Sequence, residues 1–184
     1  MESVAGAILA GAAAFAATNV DDLLLLVAFF AAGTLRVRDV VLGQYAGIAL
    51  LYAASAAASL VSLVIPGAWL PLLGLLPVCL GLRQLLGGKP REAVAPAAPG
   101  ILSVAAVTLA GGADNIGVYV PLFAVSSGAA IGVFGAVFAA MTALWCLAAR
   151  WLVRHPAAGA PLRRYGPALA PWALIAIGLA VLLA

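Results

Sequence analysis

The sequence predicts an all-α membrane protein: six transmembrane helices forming two inverted three-helix repeats, with helices 1 and 4 interrupted at acidic motifs. Three observations carry this expectation. Hydrophobic residues make up 66% of the chain and charged residues 8%, against roughly 25% charged in a soluble domain, so its surface cannot be made compatible with water. Apolar runs separated by Gly, Pro and charged clusters fill all 184 residues, which leaves room for six or seven crossings of about 20 residues and no soluble domain. A polar cluster in the first run, Asp21-Asp22, is echoed in the fourth at Asp114-Asn115.

Runs and breakers place the spans near 4–33, 39–65, 69–87, 100–125, 128–153 and 166–184. The first break carries Gly33, Arg36, Arg38 and Asp39; the second is a tight Pro66-Gly67 turn. Gly87 to Pro99 forms the third, Ser126-Ser127-Gly128 the fourth, and Arg154-His155-Pro156 through Arg163-Arg164 the fifth. No basic residue precedes the first apolar run, so it lacks the positive region of a secretory signal and is expected to stay in the mature protein. Cys79 and Cys146 sit singly in apolar runs, which predicts neither a disulfide nor a cysteine metal cluster.

All nine basic residues (Arg36, Arg38, Arg83, Lys89, Arg91, Arg150, Arg154, Arg163 and Arg164) fall in or beside the first, third and fifth breaks. With six spans those breaks share one face. Positive charge marks the cytoplasmic face, so both termini are expected outside. This accounts for the sequence pI near 9.2 without nucleic acid as a partner.

Thr18-Asn19-Val20-Asp21-Asp22-Leu23 aligns with Gly111-Gly112-Ala113-Asp114-Asn115-Ile116 at an offset of 93 residues, which also carries Phe30 onto Phe123. Two halves with an odd number of spans enter the membrane from opposite sides, the inverted repeat of many secondary transporters, whose sites lie near midplane. The expected organisation is a first three-helix repeat over 1–87, a cytoplasmic linker over 88–99 and a second, inverted repeat over 100–184.

Asp21 and Asp114 lie roughly 20–25 Å along their helices at 1.5 Å per residue, too deep for a short side chain to reach water. Intramembrane carboxylates cost several kcal/mol and mark ion or proton pathways. Convergence of Asp21, Asp22 and Asp114 with the amides Asn19 and Asn115 therefore predicts a cation site; the same groups also suit capping or bridging of broken helices. Consecutive helical residues point about 100° apart, so Asp21 and Asp22 either share one point through local unwinding or divide the work. With no buried cation beside them, at least one acid is expected to be protonated when the site is empty, which makes cation/proton exchange natural. Expelling a divalent ion against 100 mV costs ~4.6 kcal/mol, and proton entry can drive it. Gly43 and Gly47 are spaced for close helix packing, with Gln44 between them offering an amide. Thr18, Thr108 and Tyr119 are further candidate donors behind the ligands, and Pro121 is expected to bend its helix. Oxygen ligands suit hard or borderline divalent ions, whereas thiolates suit cadmium.

The stretches 17–23, 43–45 and 112–123 resemble the cadmium-resistance transporter family of the lysine-exporter superfamily. The resemblance covers essentially the whole chain. It implies a bacterial plasma-membrane exporter of cadmium or a related divalent ion such as manganese, zinc, magnesium or calcium. Asp21, Asp22, Asp114, Asn19 and Asn115 would be its ligands, with Asp22 as the proton-coupling candidate. The alternative is an amino-acid or other small-solute exporter of the same superfamily, which would need a cationic or amide partner for the solute carboxylate. The expected partners are the divalent cation, protons and the bilayer. Oligomeric state is open, a homo-oligomer included. No cofactor and no enzymatic activity are expected, since no Ser-His pair or hydrolase metal spacing occurs in the spans.

Overall fold

The computed structural model describes residues 3–87 and 100–183, and all regular structure among them is helical. The predicted linker over 88–99, with Lys89 and Arg91, lies outside the described residues, as do the side chains of Arg163 and Arg164.

Helix α1 (Val4–Thr18) starts where Ser3 Oγ accepts the Gly6 N–H at 3.0 Å, an ordinary N-cap. It stops at Asn19, whose amide Nδ2 donates to the Phe15 carbonyl at 2.8 Å while its backbone N–H donates to the same oxygen at 3.0 Å. A side chain that competes for a helix carbonyl weakens the helix at that point. The chain turns there by 59° into α2 (Val20–Ala32), which ends at Gly33 in the left-handed region, φ 66°, where glycine carries no steric penalty.

Helix α3 (Val37–Ser59) runs on through a 3-10 turn to Leu63. A second 3-10 segment, Gly67–Gly74, contains Pro71 and leads into α4 (Leu75–Leu85). After the linker, α5 (Ile101–Gly111) and α6 (Ala113–Ala124) meet at Gly112 with a bend of 68°. Leu51 of α3 presses on this corner, and a Cβ on Gly112 would lie 2.4 Å from its methyl group. Helix α6 continues through Pro121. Ser127 Oγ caps α7 (Gly128–Arg154) by accepting the Ala130 N–H.

Helix α8 (Pro156–Leu182) departs from expectation. The predicted loop from Arg154 to Arg164 shrinks to His155, and Pro156 opens the helix at once. Proline suits the first helical turn, where its missing N–H has no intrahelical partner to lose.

Three segments are long and apolar enough to cross a membrane: Val37–Leu63, Gly67–Leu85 and Gly128–Arg154. Each bent pair counted as one broken span brings the number to five, and Ala168–Leu182 is a shorter apolar helix. Large apolar side chains point outward along the bundle, Leu63, Leu102 and Trp172 among them, as a lipid solvent permits.

Helix α1 packs on α7 as α5 packs on α3, α2 packs on α7 as α6 packs on α3, and α4 lies against α8. The two breaks, Asn19 and Gly112, are 93 residues apart. One aromatic core gathers Phe15, Tyr119, Phe123, Phe134 and Phe138. A second apolar core, with Leu26, Phe29, Val40, Val104 and Ala149, lies where α2, α3, α5 and α7 meet.

Candidate functional site

The two helix breaks face each other, and their polar groups form two connected sets. In the first, Asn19 Nδ2 lies 2.9 Å from Thr18 Oγ1, 2.9 Å from the Tyr119 hydroxyl and 3.2 Å from Asn115 Oδ1, its two N–H groups shared among these oxygens and the Phe15 carbonyl. Asn115 Nδ2 returns a long bond of 3.5 Å to Asn19 Oδ1, so the two amides pair between the two helix breaks. Thr18 also donates to the Ala14 carbonyl at 3.0 Å, the local bonding that threonine favours in helices. Thr18, Asn19, Asn115 and Tyr119 are all buried.

In the second set, Gln44 Nε2 donates to Asp22 Oδ2 at 2.8 Å, and Thr108 Oγ1 donates to Gln44 Oε1 at 2.8 Å. Gln44 reaches this position because α3 lies close on α5. A Cβ on Gly43 would sit 2.5 Å from Val104 Cβ, and one on Gly47 would sit 2.6 Å from Thr108 Cβ. Those contacts give the Gly43/Gly47 spacing its packing role. Asp22, 4% exposed, is the one fully buried carboxylate among the described residues.

Asp21 and Asp114 behave differently from Asp22. Asp21 is exposed and Asp114 half-buried. Each folds a carboxylate oxygen back onto the next backbone N–H at 3.0 Å: Asp22 N–H donates to Asp21, and Asn115 N–H donates to Asp114. Both acids lie in the first turn of a helix, where the amino-terminal dipole favours negative charge. The expected convergence of three carboxylates is therefore not the arrangement seen. Among the described residues no three acids, histidines or cysteines come close enough together to hold one ion. The cause is local: α2 starts at Val20, so Asp21 and Asp22 are on regular helix and their directions diverge by about 100°.

Trp145 is a residue that sequence reasoning missed. Its indole Nε1–H donates to the Asn19 carbonyl at 2.6 Å, and its ring meets Phe15 edge-on at 5.5 Å. The same carbonyl accepts the Leu23 N–H at 3.1 Å. Trp145 thus clamps the break from α7. Nothing in its surroundings in sequence, Leu144-Trp145-Cys146, distinguishes it from a lipid-facing tryptophan. Cys79 is exposed, Cys146 is buried in the second apolar core, and both are free thiols.

Polar groups held at two opposed helix breaks, inside a bundle whose outer surface is apolar, are the architecture of a multi-pass membrane protein of the transporter class. The profile described as cadmium resistance transporter matches residues 15–184. The chain belongs to the cadmium resistance transporter family. Comparison with curated proteins and with solved structures gives no match.

Proposed function

We propose that this protein exports a divalent metal cation, cadmium or a related ion such as manganese, zinc, magnesium or calcium, in exchange for protons. The observation that carries this reading is the pair of bent helix breaks, 93 residues apart. It is there that Asn19, Asp22, Gln44, Thr108 and Asn115 are buried together. Family membership adds cadmium as the named substrate.

In this reading Asp21, Asp22 and Asp114, which stand apart in the arrangement described above, close on the cation in another conformation together with the amide oxygens of Asn19 and Asn115. Those two oxygens now accept from the opposite amide, so binding requires the pair to open. Asp22 is the proton carrier, since a buried carboxylate held by a neutral amide can exchange a proton for a cation without leaving an unpaired charge. The two halves are inverted repeats of three spans each, which places both termini outside and the basic breaks in the cytoplasm of a bacterial cell.

Metal uptake into inside-out vesicles under an imposed proton gradient tests the proposal, comparing wild type with Asp21→Asn, Asp22→Asn and Asp114→Asn. Each variant is expected to lose most of its transport, and Asp22→Asn should also lose the response to the gradient. Full transport by all three variants would sink the site. A wild type that moves no divalent ion would redirect the reading to a small solute.

A further inference from the structure

Where α2 ends, α3 begins and α7 ends, a groove of about 140 Å³ opens between Phe30, Val37, Arg150, Val153 and Arg154. It stands apart from the polar centre and has no part in the exchange chemistry above. Three of its lining residues are apolar and two are arginines. Arg150 is half-buried and Arg154 exposed; neither forms a salt bridge among the described residues, where Arg38 pairs with Asp39 at 3.5 Å. Four residues apart on one helix, the two arginines share a face and repel each other. The amino terminus of α3 also comes to the groove at Val37. Asp39 in the first turn of α3 offsets the helix dipole there and pairs with Arg38, so the positive field of the groove comes from Arg150 and Arg154. No acidic side chain lines the groove.

Beside the arginines in helical register, Leu144, Leu147 and Trp151 are exposed along α7. A charged ligand alone would leave this stripe uncovered. A ligand with a phosphate head and apolar tails would match both parts. We propose that the groove binds an anionic phospholipid, its phosphate between Arg150 and Arg154 and its chains along the α7 stripe. Guanidinium groups bind phosphate through paired, charge-assisted hydrogen bonds, and basic pockets between helices at the cytoplasmic face suit such headgroups.

The test is the thermal unfolding midpoint of the purified protein in detergent, with phosphatidylglycerol, phosphatidylcholine or inorganic phosphate added. Phosphatidylglycerol should raise the midpoint more than phosphatidylcholine, and inorganic phosphate should leave it unchanged. Arg150→Gln/Arg154→Gln should lose the part specific to phosphatidylglycerol, while Arg83→Gln, removing an exposed charge on α4, should keep it. Equal responses to the two lipids, a response to inorganic phosphate alone, or a specific response surviving in the double variant would each overturn the proposal. Should the double variant not fold, the wild type in native mass spectrometry must still retain phosphatidylglycerol over phosphatidylcholine, and Arg154→Gln alone must weaken that preference.

Discussion

The Asn19 amide nitrogen has two N–H donors and lies within hydrogen-bond distance of four buried oxygens, while the Asn19 backbone carbonyl accepts from the Trp145 indole. Such a residue fixes the place of a helix break and ties it to the opposite half in one step. Trp145→Phe removes the indole donor and keeps a ring against Phe15. The Asn19 carbonyl then retains only the Leu23 N–H, so the break is held less firmly. An interhelical hydrogen bond in a membrane is worth about 0.6 kcal/mol, so folded yield should barely change. Metal transport should fall several-fold, through a weaker apparent affinity measured as KM in proteoliposomes. Wild-type KM in Trp145→Phe, with a defect only in Trp145→Ala, would leave Trp145 a packing residue. The Asp motifs were legible in the sequence because carboxylates are rare in apolar runs. The clamp was not, because a tryptophan in such a run is ordinary.

At the scale of elements, the α3–α5 contact positions the Gln44 amide on Asp22. Gly43→Ala would drive a Cβ to 2.7 Å from the Ile101 carbonyl as well as into Val104, whereas Gly47→Ala meets mainly the Thr108 side chain. Both clashes involve Cβ atoms fixed to the backbone, which no rotamer change relieves, and Gly43→Ala adds the closer backbone carbonyl. Overpacking of this kind costs about 1–3 kcal/mol, and Gly43→Ala should show the larger drop in thermal midpoint. Gly47→Ala should keep more stability yet lose transport, because moving Thr108 disturbs the bond to Gln44. Gly132→Ala on α7, where a Cβ meets nothing within 4 Å, is the control and should be neutral or slightly stabilising. Equal midpoints for all three variants would contradict a close-packed α3–α5 seam. Sequence spacing showed that Gly43 and Gly47 share a face. It could not show that α5 lies against that face.

At the scale of the whole molecule, the proposed topology makes opposite faces reachable from opposite sides of the membrane. In a variant without native cysteines, Thr34→Cys should react with an impermeant maleimide only in inside-out vesicles. Ser126→Cys should react only from the outside of intact cells. Labelling of both positions from one side would contradict an odd number of spans between the first and fourth breaks. Helix α1 packs on α7 as α5 packs on α3, and the two bends, 59° and 68°, fall 93 residues apart, the placement that the proposed repeat requires.

Composition showed, without coordinates, that the chain is a multi-pass membrane protein, and the polar motifs at Asp21-Asp22 and Asp114-Asn115 showed where two of its helices are interrupted. These properties depend on local hydropathy and on residues that break helices, and each is written along the chain. Tertiary structure decided which of two adjacent acids turns inward, since a 100° step separates Asp21 from Asp22 whatever the rotation of α2. It also decided that Asn19 pairs with Asn115, that Trp145 holds the break, and that the basic turn after Arg154 winds into α8. Those outcomes depend on helix rotation and on contacts between residues up to 126 positions apart, and packing alone fixes them.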